Sequence, residues 1–141
     1  MSRTLAMISL HPQYWDMYRD GSKVWELRKV THSPRCVDGL VIYATAPVSR
    51  VVGEVDVVSI HSGYVDDFWH IVKDGCGITR DWYDHYYQGH QMAIAYRLGN
   101  VWDYFPSIGS RYDPCGYQYL SLGDYEDILA RTERRLVHAA R

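Results

Sequence analysis

No segment of the 141-residue chain reaches the ~18 consecutive apolar residues that a membrane-spanning helix needs. The opening MSRTLAMISLHP likewise has too short an apolar run for a secretory leader. The expectation is a cytoplasmic protein, neither secreted nor embedded. Cysteine is scarce: Cys36, Cys76 and Cys115 are odd in number, widely spaced and without a CxxC pair. They imply neither a disulfide framework nor a zinc knuckle, and they fit a reducing compartment. None of the seven histidines forms HxH, HxxxH or HExxH, so no metal site is expected. GxSxG, GxxxxGK[ST] and dinucleotide fingerprints are all missing, and with them the usual signs of a serine hydrolase elbow or a bound nucleotide cofactor. No cofactor is expected.

Clustered positive charge is also lacking, since the formal net charge is −2. That argues against coating nucleic acid by bulk electrostatics, which needs many Lys and Arg side chains to displace counterions. The charge is nonetheless uneven. Arg19 to Arg50 holds six basic residues against three acidic ones, whereas Val51 to Asp84 holds two against seven. One region can meet phosphate while another repels it.

What remains is an ordinary globular composition, 47% hydrophobic and 23% charged, long enough for one domain with its own core. LAMISL reads as a strand, PQYWDMYRD as a helix with Pro12 in its first turn and Gly21 closing it. KVWELRKV is a second strand and LVIYATAP a third, halted by Pro47. RVVGEVDVVSI is a fourth, with Gly53 marking a bulge. VDDFWHIVKDG and ITRDWYDHYYQG show helical spacing, and Thr79 suits an N-cap. QMAIAYRLG and NVWDYFPSIGS return to strand. The tail DYEDILARTERRLVHAAR places Tyr125, Ile128, Leu129, Thr132 and Leu136 on one stripe, which predicts a helix docked on the body. The expected organisation is a domain over residues 1–122 with a C-terminal helix over 123–141 packed on it. Strands pairing in chain order, with helices to the side, define an α+β fold with a curved sheet, a small open barrel.

Three stretches carry a family likeness: ISLHPQYWDMYRDG, then G-x-K-x-x-E-x-R in GSKVWELR, then VIYATAPVSRVVGEVDVVSI. With GITRDWYDHYYQGHQMAIAYRLG after them, the chain resembles the ASCH domain of the PUA-like superfamily over roughly residues 5 to 120. The resemblance implies a small β-barrel with flanking helices and a cleft beside the charged strand. It implies RNA, or a nucleotide or nucleoside, as ligand, with DNA as an alternative, and a regulatory role in transcription or translation. It also implies an enzyme as an alternative: an amidohydrolase acting on 4-acetylcytidine, or a ribonuclease. By position Lys23 matches the amidohydrolase's catalytic Lys, and Arg28 the Arg ending that motif. Two departures stand against identical chemistry: Glu26 occupies the place of a Thr, and no carboxylate lies between Asp74 and Asp81, where that enzyme supplies a Glu.

The charged strand itself poses a question, because Lys23, Glu26 and Arg28 sit among Val24, Trp25, Leu27 and Val30. Alternation puts Glu26 and Arg28 on one face with Val24 and Val30, and Trp25 and Leu27 on the other. A Glu–Arg pair on an exposed sheet surface is worth only ~0–1 kcal/mol. The alternative is that all three charges floor a cleft, Arg28 offering a planar fork to phosphate and Glu26 accepting from a base edge. With the resemblance, the second reading is preferred. If the protein is an enzyme, Lys23 and Glu26 are its catalytic candidates. For Lys23 to act as a base its pKa must fall by about 3 units, and Glu26 opposes that shift. The expected binding set is Lys23, Glu26, Arg28, Lys29, Arg50 and, in the IYAT strand, Tyr43 and Thr45. The run WYDHYY supplies rings that could stack bases, although rings at helical spacing more often build a core.

Overall fold

A short apolar strand opens the chain: β1 (Leu5–Leu10) is buried along nearly its whole length. Helix α1 (Pro12–Asp20) follows, with Pro12 in its first turn and Gly21 closing it at φ 82°, a left-handed conformation that glycine adopts without strain. After β2 (Trp25–Lys29) and β3 (Gly39–Ala44) comes β4 (Arg50–Tyr64). Two short helices, α2 (Val65–Val72) and α3 (Arg80–Tyr86), lead into the 17-residue β5 (Met92–Ile108). The chain ends with β6 (Tyr117–Leu120), α4 (Leu122–Ala130) and β7 (Glu133–His138). The computed structural model describes residues 3–29, 37–109 and 116–140. Cys36, Cys115, Arg35 and Val30 lie outside the described residues.

Among the described residues seven strands form one mixed sheet in the order β2-β5-β4-β3-β1-β6, with β7 also on β5. Of their described pairings only that of β1 with β3 is parallel. On the edge of β5 away from β4, β2 covers Ala93–Arg97 and β7 covers Val101–Phe105, so the two lie end to end along one strand. The sheet curls into a half-barrel of the expected α+β type. The β4 ladders to β3 and to β5 both shift register between Val51 and Gly53, beside the glycine expected to mark a bulge. A Cβ there would lie 2.3 Å from the Trp102 carbonyl oxygen and 2.6 Å from the Trp15 ring. Only glycine lets the strands and α1 approach this closely.

Alternation along the strands sorts the core into three clusters. Ala6, Ile8 and Leu10 face Trp15 and Tyr18 of α1, whereas Leu5 and Met7 face Tyr125 and Ile128 of α4. Trp25 and Leu27 pack beneath α2 and α3 with Phe68, Val72 and Tyr83. Thr79 caps α3 as its position predicts, its hydroxyl accepting from the Trp82 N–H.

The tail departs from expectation. The helix predicted through the last residue stops at Ala130, and residues 133–138 form β7. Tyr125 and Ile128 are buried as the stripe requires, but Leu136 is 49% exposed. Two tertiary features override the helical spacing. The Thr132 hydroxyl donates to the Pro106 carbonyl at 2.6 Å, turning the chain toward β5. Beyond that turn, Arg134 finds the buried carboxylate of Glu54, which also accepts from the Tyr104 and Tyr125 hydroxyls at 3.0 and 2.7 Å. Arg3 approaches the same carboxylate at 3.6 Å. A buried charge needs partners, and β7 supplies one.

Candidate functional site: a charged cleft beside the second strand

The cleft opens where the end of β1, the start of α1, β2 and α3 converge. Its volume is about 240 Å³. Lys23, Glu26 and Arg28 form the charged part of its lining. Ser9, His11 and Tyr14 supply one wall, and Ile78, Trp82 and Tyr86 the other.

Lys23 lies before β2, not within it, in the loop after Gly21. For the same reason Val24 does not share the Glu26 face: it packs against the α2–α3 cluster. From Trp25 onward the predicted alternation holds. Trp25 and Leu27 point to the helices, and Glu26 points into the barrel.

Both charges nearest the floor are buried, Lys23 and Glu26 each being 6% exposed. The Lys23 ammonium donates to the Cys76 carbonyl at 2.5 Å and sits 5.5 Å from the Tyr14 ring centroid. Burial lowers the Lys23 pKa, while Glu26 and Cys76 pull it back up. Glu26 accepts from the Tyr18 hydroxyl and lies 3.7 Å from Arg28. Burial, with Glu26 adding to it, pushes the Tyr18 hydroxyl well above its usual range, so it remains a donor. Arg28 is the more accessible member, and its guanidinium lies 5.1 Å from the Tyr117 ring. Among the described residues Glu26 is its ion-pair partner, and its planar fork lines the cleft.

The other expected residues are placed differently. Lys29 is exposed, with its ammonium 4.6 Å from the Tyr86 ring, at the edge of the cleft. Thr45 stands behind the wall: its hydroxyl is 3.4 Å from His11 Nδ1. Tyr43 points away, into the core beneath α4. Arg50 bonds Ser107 through its side-chain oxygen at 2.6 Å and its carbonyl at 2.7 Å, and does not line the cleft. His11 and Tyr14 line it without having been singled out, whereas Trp82 and Tyr86 belong to the run WYDHYY, whose rings were weighed against a place in the core. For α3 the signal was available: with Thr79 as cap, Tyr83 and Tyr87 turn inward, so Trp82 and Tyr86, four apart, share the outer face. Among the described residues no group of three His, Cys, Asp or Glu side chains could hold a metal ion. No helix of the described residues is long and apolar enough to cross a membrane.

A half-barrel with its charged cleft between the sheet and α3 defines the class, and the family model for the ASCH domain matches residues 8–101. The chain belongs to the ASCH domain family. It is similar to an ASCH domain-containing ribonuclease of Zymomonas mobilis, 30% identical over 96 residues, covering 68% of this chain and 65% of that protein. Crystal structures of ASCH from Zymomonas mobilis share the fold. One superposes with a TM-score of 0.83 at 23% identity, over 94% of this chain and 98% of the other. A mutant form gives a TM-score of 0.84 at 24% identity, over 93% and 98%. Two longer proteins of Ureaplasma parvum also match in part. The large ribosomal subunit protein uL22 is 33% identical over 57% of this chain, and ATP synthase subunit alpha 30% identical over 81%. This chain spans only 28% and 15% of their lengths.

Proposed function

We propose that the protein binds single-stranded RNA by taking one base or nucleotide into the cleft. The observation that carries this reading is the convergence of Lys23, Glu26 and Arg28 on one concave site walled by Tyr14, Tyr86 and Trp82. Unpaired bases offer what such a site recognises: a flat face for aromatic rings, an edge for Glu26 and Lys23, and a phosphate for Arg28. A cleft of about 240 Å³ is on the scale of one unstacked base. The name of the Zymomonas mobilis relative supports RNA as the polymer.

A second reading, cleavage of that RNA, draws support from the same relative's name and from the burial that lowers the Lys23 pKa. Neutral Lys23 would take the proton of a 2′-hydroxyl. The freed oxygen would attack the adjacent phosphorus to form a 2′,3′-cyclic phosphate, Arg28 would meet the charge on the phosphoryl oxygens, and the bond to the 5′-oxygen would break as that oxygen receives the proton Lys23 had taken. Deacetylation of 4-acetylcytidine draws less support. Where that chemistry places a carboxylate, the cleft wall carries Ile78.

The test is fluorescence anisotropy with an end-labelled single-stranded RNA, followed by electrophoresis of the same mixtures, with 4-acetylcytidine hydrolysis assayed alongside. Lys23→Ala and Arg28→Ala should each weaken binding about tenfold or more, as expected for lost charge-assisted contacts. Unchanged affinity in both variants defeats the binding reading. Shortened RNA that disappears with Lys23→Ala establishes cleavage, and wild-type turnover in that variant removes Lys23 from the mechanism.

A further inference from the structure

Trp82 is 64% exposed, the third of seven residues in a helix whose other face is fixed by fully buried Tyr83. Its indole meets His85 edge to face, with centroids 6.0 Å apart. It borders two depressions at once, the charged cleft on one side and a shallow groove shared with Asp81 and His85 on the other. An uncovered indole that borders both the cleft and the neighbouring groove provides a flat face one step beyond the cleft.

We propose that Trp82 is a stacking platform for the nucleotide next to the one in the cleft. The site then takes a single-stranded run of at least two nucleotides in preference to a free nucleoside or mononucleotide. This rests on the reading that the cleft itself accepts a base.

Charge fixes how the strand lies. Asp81 borders the groove, and Arg80 beside it is engaged by Asp66 and Asp84 at 2.9 and 2.8 Å. A phosphate is therefore disfavoured over the groove, and the neutral face of a base is favoured there. The backbone passes on the other side, by Arg28 and by Lys29 near Tyr86. Stacking is indifferent to salt and tolerant of base identity, whereas phosphate contacts weaken as salt rises. The Trp82 contribution should consequently be the salt-independent part of the affinity.

The test uses the full chain, the four ribonucleoside 5′-monophosphates and a mixed-sequence RNA octamer, with affinities measured at about 50 and about 200 mM salt. Trp82→Ala should weaken octamer binding roughly 5- to 150-fold more than it weakens monophosphate binding and leave the salt slope unchanged. Trp82→Phe should recover much of the loss, and the octamer's quenching of tryptophan fluorescence should largely vanish in that variant. Equal losses for octamer and monophosphate would show that Trp82 serves the cleft alone and overturn the proposal, as would octamer binding unaffected by Trp82→Ala. Failure of the wild-type protein to bind any of these probes would instead defeat the cleft reading. An unchanged thermal melt confirms that the exposed substitution leaves the fold intact.

Discussion

Arg134 Nε of β7 lies 2.8 Å from a carboxylate oxygen of Glu54, a residue of β4 that is 1% exposed. The ion pair fastens the last strand to the middle of the sheet, and the Tyr104 and Tyr125 hydroxyls complete its hydrogen bonding. Glu54→Ala would strand a guanidinium and two buried hydroxyls. It should destabilise the protein by about 3–5 kcal/mol, seen as a lower midpoint in urea denaturation. Glu54→Gln, which keeps an acceptor, should lose less.

Gly53 makes a second sharp prediction. Its Cβ would meet the Trp102 carbonyl at 2.3 Å, and backbone cannot yield as a flexible side chain does. Gly53→Ala should lower stability by about 1–3 kcal/mol or more, with β4, β5 and α1 forced apart. Thermal denaturation of the variant reads this directly, and a melt equal to wild type would contradict the close packing described.

Lys23 gives the stability a pH signature. Burial lowers its folded pKa below the ordinary 10.5. Below the lowered value folded and unfolded chains both hold the proton. Between that value and 10.5 the unfolded chain holds more, so stability rises with pH across this window. Lys23→Met lacks the effect. The melting temperature of wild type minus that of Lys23→Met should increase as pH rises toward 10.5. A difference that falls with pH would show Lys23 to be stabilised in its charged form.

The tyrosines act in the opposite direction at higher pH. Burial pushes Tyr83 and Tyr125 up to about 12 from 10.0, and raises Tyr18 and Tyr104 well above 10.0. A raised folded pKa means stability that is complete below 10.0 and is lost as pH climbs toward the folded values. Tyrosinate absorbance and circular dichroism followed together should show these groups ionising late, in step with unfolding. Smooth ionisation near 10.0 without loss of structure would contradict their burial.

Much of the fold could be read locally because local chemistry decides it. Pro12 and Gly21 bracket α1, Thr79 starts α3, and Gly53 lies beside a register shift in β4. Alternation in WELR also separated the Trp25 face from the Glu26 face. The tail could not be read in this way. ERRLVH supports a strand as well as a helix, and what selects the strand is the uncovered edge of β5 and the Glu54 charge. Both are supplied by residues far away in sequence. Tyr43 and Arg50 were expected near the cleft, but neighbouring strand positions face opposite sides of the sheet, and Ser107 captures the Arg50 guanidinium. His11 and Tyr14 reach the cleft only through the crossing of α1 over the sheet, a relation no local pattern contains.

The position of β5 bears on how the chain acquires its shape over time. β2 is made early, yet its partner residues are Ala93–Arg97, and β7 must wait for Val101–Phe105. Until β5 is present, β2 has no neighbour in the sheet, and the loop bearing Lys23 lacks its lasting support. Nearly all pairing then depends on distant segments meeting, which places folding in the slow regime of β-rich domains, on the order of milliseconds to seconds. A nascent chain halted before Met92 should accordingly remain protease-sensitive and without a working cleft.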